Sequence, residues 1–218
     1  MSYAGYPQSM DQLRTTYADI AYGPYARARQ AAVGADNRIV DPGTTPFVLD
    51  GRDRRQIREA DMFFLSTVTD SGWPYVQHKG GPAGFVHVLD DRTLAFPDFP
   101  GNLQFVSAGN LDRDGRVCLF FIDFPTRRRL KVFGHARAVE AVDDPDLVAR
   151  MRDLGRASGR EIRAEIERVV VVTISDVDVN CTRHIRPRWD RAAVEERIAL
   201  YRADIAQLRE RIAELEGR

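Results

Sequence analysis

Between Met62 and Val179 the chain is a succession of short segments rich in aromatic and β-branched residues, each closed by turn formers. That pattern points to an antiparallel β fold. Met62–Thr69 is followed by the turn Asp70-Ser-Gly-Trp73 and by Pro74-Tyr-Val-Gln-His-Lys79, which reads as the returning strand of a hairpin. Further strands are predicted at Gly84–Leu89, Thr93–Phe96, Val117–Asp123, Arg129–Val142 and Arg168–Val179, with turn signals at Asp90–Arg92, Asp112–Gly115 and Phe124–Thr126. Six or so such strands in meander order predict a mainly β protein with flanking helices, closed as an antiparallel barrel.

Helices punctuate this series. Asp50 is placed to cap a helix over Arg52–Ala60; a second is predicted over Asn102–Asn110 and a third over Asp144–Gly155, opened by Asp-Pro and closed by Gly. Tyr3–Ala32 is loosely helical with a break at Gly23-Pro24, and Gly34–Pro46 reads as a connector. From Asp190 the pattern changes: Val194, Ile198, Tyr201, Ile205, Leu208, Ile212 and Leu215 alternate spacings of four and three residues, the seam of a coiled coil flanked by Arg and Glu. So narrow a stripe either packs on the chain's own barrel or pairs with a second chain, and we expect it at or near a dimer interface. The organisation is then an N-terminal extension and connector over residues 1–45, a β domain over 46–188 and a long amphipathic helix over 189–218.

Charge and chemistry exclude several classes. Thirty-two basic residues balance 32 acidic ones at a pI near 6.9, which gives no reason to expect nucleic acid or an anionic membrane. The first thirty residues lack the basic start and apolar stretch of a signal peptide, and the runs Val117–Ile122 and Val169–Val172 are too short to span a bilayer. With only Cys118 and Cys181, far apart, the expectation is a cytoplasmic protein without a disulfide framework. No phosphate loop, nucleophile elbow, HExxH or strand-GxGxxG-helix motif occurs, and Lys79-Gly-Gly-Pro-Ala-Gly84 precedes a strand-like segment, as a turn would. His78, His87, His135 and His184 fall on different predicted elements, so no metal site is expected.

What remains is an ordered series suited to a planar, anionic ligand. Thirty of the basic residues are Arg and only Lys79 and Lys131 are Lys. Lys79 ends a strand whose backbone at Gln77 and His78 can meet the edge of a ring, and Gly101-Asn102 opens a predicted helix, where a phosphate gains from unpaired N–H groups and the helix dipole. Arg129 can add counter-charge, although on composition alone Arg127–Arg129 reads first as a solvated hairpin turn. Cys118 suits a buried core position, whereas Cys181 lies in the polar run Asn180–Arg188.

The order Asp-Ser-Gly-Trp, Pro-Tyr-Val-Gln-His-Lys, Phe-Pro-Asp-Phe-Pro-Gly-Asn, Arg-Arg-Arg-Leu-Lys-Val-Phe-Gly-His-Ala, running from about Ala60 to Val142, resembles the FMN-binding split-barrel proteins related to pyridoxamine 5'-phosphate oxidase. The segment from Asn180 is similar to a C-terminal signature of one bacterial branch. The resemblance implies a six-stranded split barrel, a homodimer with FMN between the subunits, and an FMN-dependent oxidoreductase acting on a small molecule. It places Val76, Gln77, His78, Lys79, Phe96, Pro97, Gly101, Asn102 and Arg129 at the cofactor, and Asn180, Cys181, Arg183 and His184 on the substrate side. Where the oxidase itself resembles Ser-Arg-Lys at the phosphate, this chain has Gly101-Asn102-Leu103, which leaves the counter-charge to Lys79 and Arg127–Arg129. The alternatives are a reductase of the same fold using the deazaflavin F420, or a non-catalytic flavin- or haem-binding protein with His78 or His184 as iron ligand.

Overall fold

The computed structural model describes residues 15–35, 47–180 and 183–217. They form two compact units, Met1–Ile122 with Arg129–Cys181, and Asp123–Arg128 with Thr182–Arg218. In the first unit α1 (Tyr17–Ala21), α2 (Pro24–Ala32) and α3 (Gly51–Glu59) precede β1 (Met62–Val68), β2 (Pro74–Gly80), β3 (His87–Val88) and β4 (Thr93–Asp98). Then follow α4 (Val106–Arg113), β5 (Arg116–Asp123), β6 (Arg128–Glu140), α5 (Pro145–Ala157) and β7 (Arg168–Asn180). The helix α6 (Arg191–Glu216) belongs to the second unit.

The strands make one sheet of seven, in the order β2-β1-β5-β6-β7-β4-β3. This corrects the expected six-stranded meander on two points. The strand count is seven, one in each of the seven segments read as strands, and among the described residues the sheet runs from β2 at one edge to β3 at the other. The hairpin β1–β2 and the pair β3–β4 join sequence neighbours across turns that the residues announce, whereas β1–β5 and β4–β7 are long-range antiparallel pairings that turn residues cannot signal. The strand predicted over Gly84–Leu89 shrinks to two residues. Gly84 has φ +82°, outside strand geometry, and the segment after it turns Phe85 and Val86 fully inward.

Alternation on β1 buries Phe63 and Leu65, and Phe63 is the hub of the main core, with ring centroids 5.0 Å from Phe96, 5.1 Å from Phe121 and 5.9 Å from Phe85. Leu119, Leu130, Val132, Val172 and Ile174 complete that layer. Burial is unbroken from Leu94 to Pro97 on β4 and from Arg168 to Val170 on β7, where α5 covers the second face. Ala95 and Val169 pack there with Leu147, Met151, Ile162 and Ile166. The unbroken Val169–Val172 run is the sequence mark of a strand covered on both sides.

Aspartates start three of the helices, as read from the sequence. Asp50 accepts from the N–H groups of Arg52 and Asp53 at 2.7 Å, Asp144 from Leu147 at 2.9 Å, and Asp190 from Ala193 at 2.7 Å. The N-terminal helices break at Gly23 as predicted, and Tyr17 rests its ring 5.7 Å from Phe133 while its N–H donates to Asp176 at 2.6 Å. The first fourteen residues and most of the predicted connector lie outside the described residues. In the second unit α6 has no buried residue, and the Arg188 guanidinium sits 5.0 Å from the Phe124 ring. Among the described residues no helix is long and apolar enough to cross a membrane.

One expected helix is displaced. Rather than spanning Asn102–Asn110, α4 begins at Val106, and Phe105 before it takes a left-handed conformation (φ +51°). The shift moves the helix start away from Gly101-Asn102.

Two glycines give opposite expected outcomes in a denaturant titration. Gly134 sits at a register shift between β6 and β7, and a Cβ there would overlap the carbonyl oxygen of Thr173, so Gly134→Ala should destabilise the fold by about 1–3 kcal/mol. Gly109 lies inside α4 with nothing near its virtual Cβ, and Gly109→Ala should stabilise by about 0.5–1 kcal/mol.

Candidate functional site

The two faces of β2 divide the residues predicted there. Tyr75, Gln77 and Lys79 point to one side and are half-buried; Val76 and His78 point to the other and are exposed. Against the first side lies α4, held by two hydrogen bonds from its own small polar residues. Ser107 Oγ donates to Gln77 Oε1 at 2.6 Å, and Asn110 Nδ2 donates to Thr67 Oγ1 at 2.8 Å. Both helix residues are buried. The bonds therefore tie the helix to β2 and β1 where water competes little.

Between these elements is a cleft, open in part to solvent. Its walls are the inner side chains of β2, the loop from Phe99 to Phe105, the first turn of α4 and the pair Glu167-Arg168. Charge is concentrated on one side. Lys79 Nζ donates to Asp98 Oδ1 at 2.5 Å, and the other oxygen of Asp98 accepts from Arg168 Nη1 at 3.1 Å. Arg168, 7% exposed at its side chain, also meets Glu140 at 3.0 Å and Glu167 at 3.1 Å. Burial pulls the Arg168 guanidinium down, but hydrogen bonds to Glu140 and Asp98 outweigh it and hold the group above its ordinary value.

The loop and the first turn of α4 carry donors and strain. The N-cap Phe105 provides no side-chain hydrogen bond, so the N–H groups of Val106, Ser107 and Ala108 have neither an intrahelical acceptor nor a capping side chain at the end where the helix dipole is positive. These residues line the cleft. Leu103 and Phe105 both hold positive φ, at 61° and 51°, each at a cost of about 1–2 kcal/mol for a residue with a side chain. Both present large apolar groups to solvent at the cleft, and the Phe105 ring lies 5.2 Å from the Arg168 guanidinium.

Of the residues predicted at a cofactor, the cleft brings together Gln77, Lys79, Gly101 and Asn102. Gly101-Asn102 does so as part of the loop, not as a helix start; Asn102 Oδ1 accepts from the Gln104 N–H at 3.3 Å. Val76 and His78 lie on the reverse of β2, with His78 edge-on to Phe64 at 6.1 Å. Phe96 is wholly buried against Phe63, and Pro97 is buried opposite Val169 on β7. Arg129 pairs with Asn180 on the β6–β7 ladder and does not line the cleft. Arg183 and His184 are exposed residues of the second unit, and Cys181 lies outside the described residues.

Asp98, Ser107 and Arg168 were not singled out from the sequence. Asp98 and Arg168 are seventy positions apart and meet only through strand register. The signal in the residues is an arginine set directly before the apolar run Val169–Val172. The other lysine, Lys131, is also paired, with Asp178 at 3.0 Å and 5.8 Å from the Tyr17 ring. Nearby, burial and the Asp178 charge push the Cys118 thiol up to about 11 against the pull of Lys131, which keeps it an unreactive thiol at neutral pH. Among the described residues no cluster of histidine, cysteine and carboxylate side chains could hold a metal ion.

Residues 49–181 match the sequence model of the pyridoxamine 5'-phosphate oxidase family. Among proteins of curated function none matches the chain in sequence. Similar solved structures include HupZ of Group A Streptococcus, at 12% identity and a TM-score of 0.46 over 60% of this chain and 94% of that one. A protein described as a pyridoxamine 5'-phosphate oxidase from Lactobacillus delbrueckii is similar at 21% identity and 0.42, over 60% and 93%. An F420 reductase is similar at 22% identity and 0.40, over 60% and 98%.

The charged wall predicts a stability effect. Asp98→Ala leaves Lys79 without its acceptor and removes one of the carboxylates that offset the buried Arg168, and chemical denaturation should show a loss of about 3–5 kcal/mol. Glu161→Ala, which breaks a solvent-exposed pair with Arg163, should leave the denaturation midpoint unchanged.

Proposed function

The chain belongs to the pyridoxamine 5'-phosphate oxidase family, and from that premise we propose that it is an oxidoreductase that binds flavin mononucleotide in the cleft beside β2. The observation that carries this reading is the convergence on one cleft of the Lys79 ammonium and the uncapped first turn of α4. A phosphate monoester asks for that combination of a cation and several N–H donors.

Lys79 is already aimed at an oxygen, Asp98 Oδ1, so an arriving phosphate exchanges one anionic acceptor for another. Asp98 stays bonded to Arg168 during the exchange. Ser107, whose hydroxyl is held by Gln77, keeps the first turn of α4 in place against β2. Leu103 and Phe105 supply apolar surface against which a flat ring can lie, and the backbone cost of their conformations is met in the folded protein before any ligand arrives. When bound, flavin itself supplies hydride acceptance and donation at N5, so no catalytic triad is needed among the side chains. In this reading the sheet is the split barrel of the family and the working species is a homodimer acting on a small molecule.

Titration of the purified protein with FMN and with riboflavin, followed by flavin fluorescence, tests the assignment. FMN should bind saturably, and Lys79→Ala should weaken it about ten- to a hundredfold while leaving riboflavin binding nearly unchanged. An equal effect on both ligands would place the phosphate elsewhere. Uptake of F420 with none of FMN, or a Soret band on adding haemin in place of a flavin spectrum, would overturn the cofactor.

A further inference from the structure

We propose that α6 pairs with α6 of a second copy of this chain as a parallel two-stranded coiled coil. The helix has 26 residues, about 39 Å of length, and none of them is buried. Its seam residues Val194, Ile198, Tyr201, Ile205, Leu208, Ile212 and Leu215 are between 43% and 63% exposed. A helix of this kind draws most of its stability from covering its apolar stripe, and the spacing of that stripe specifies what covers it.

Taking Ile198 as position a, the a positions are Ile198, Ile205 and Ile212, and the d positions are Val194, Tyr201, Leu208 and Leu215. Isoleucine at a with leucine at d favours two parallel strands, because the β-branched residue packs well at a and leucine at d in that geometry. The flanks give the occupant's identity. In a parallel pair each g position faces the e position five residues further along the other helix. Asp204 then faces Arg209 of the second copy, and Arg211 faces Glu216 of the second copy, each twice by symmetry. The helix is therefore complementary in charge to itself over its last two heptads. Arg197 faces Arg202 in the first heptad, so the register is set by the two that follow.

Cysteine cross-linking of the full chain under mild oxidation tests pairing and direction together. In a parallel coil Leu215→Cys lies beside its own counterpart and should form a covalent dimer well above the wild-type background, whereas Glu210→Cys, on the outer face, should not. Adding Arg209→Asp to Leu215→Cys sets like charges against Asp204 and should weaken pairing roughly fivefold. Combining it with Asp204→Arg restores opposite charges and should restore the yield. No covalent dimer from Leu215→Cys, or a yield indifferent to the charge swap, would overturn the proposal. So would a mixture of Ile198→Cys and Leu215→Cys chains that yields only the mixed dimer, the mark of an antiparallel pair. None of these outcomes depends on flavin binding.

Discussion

The pairing of β4 with β7 is the constraint on which the rest of the first unit depends. It places Thr93–Asp98 against Arg168–Thr173, so that alternate residues of both strands enter the main core and the others enter the smaller core under α5. A slip of one residue would exchange the two sets. The same register sets Asp98 opposite Arg168, and the β6–β7 register sets Glu140 opposite Arg168 on its other side. A cross-strand row of acid, base and acid therefore follows from the packing that stabilises the sheet. The cleft takes one wall from the end of that row.

This arrangement explains how charged groups come to lie with little exposure beside an apolar core. Arg168 is nearly inaccessible but is offset by carboxylates on both neighbouring strands and by Glu167. Lys79 reaches the same row from β2, across the cleft, through the second oxygen of Asp98. Desolvating such ions is costly, and partners set by strand register limit that cost without mobile side chains having to find one another. The strained loop ahead of α4 is the complementary device. Positive φ at Leu103 and Phe105 turns the chain into the helix with no capping side chain, which leaves the first-turn N–H groups available to a ligand.

Much of the fold was legible because its signals are local. The Met62–Lys79 hairpin, the Asp50 cap, the break at Gly23 and the long helix α6 each rest on residues a few positions apart. The strand order was not legible, since β1–β5 and β4–β7 are chosen by which faces can be buried together. Lys79, one of only two lysines, and Gln77 belong to a strand with clear flanks, and both line the cleft. Val76 and His78 lie on the reverse face of β2 through strand alternation, a pattern visible in the residues themselves. Asn102 looked like a helix start because a short polar residue precedes an apolar one; the left-handed turn at Phe105, which moves the start to Val106, has no such local mark.

Lys79 and the first turn of α4 are proposed to form one anion site for a flavin phosphate. A crystal structure of the protein with FMN bound is its most direct test. The phosphate is expected within hydrogen-bond distance of Lys79 Nζ and of at least one N–H among Val106, Ser107 and Ala108, with Asp98 still bonded to Arg168. A phosphate bound away from that turn, with the Lys79–Asp98 pair intact, would contradict it.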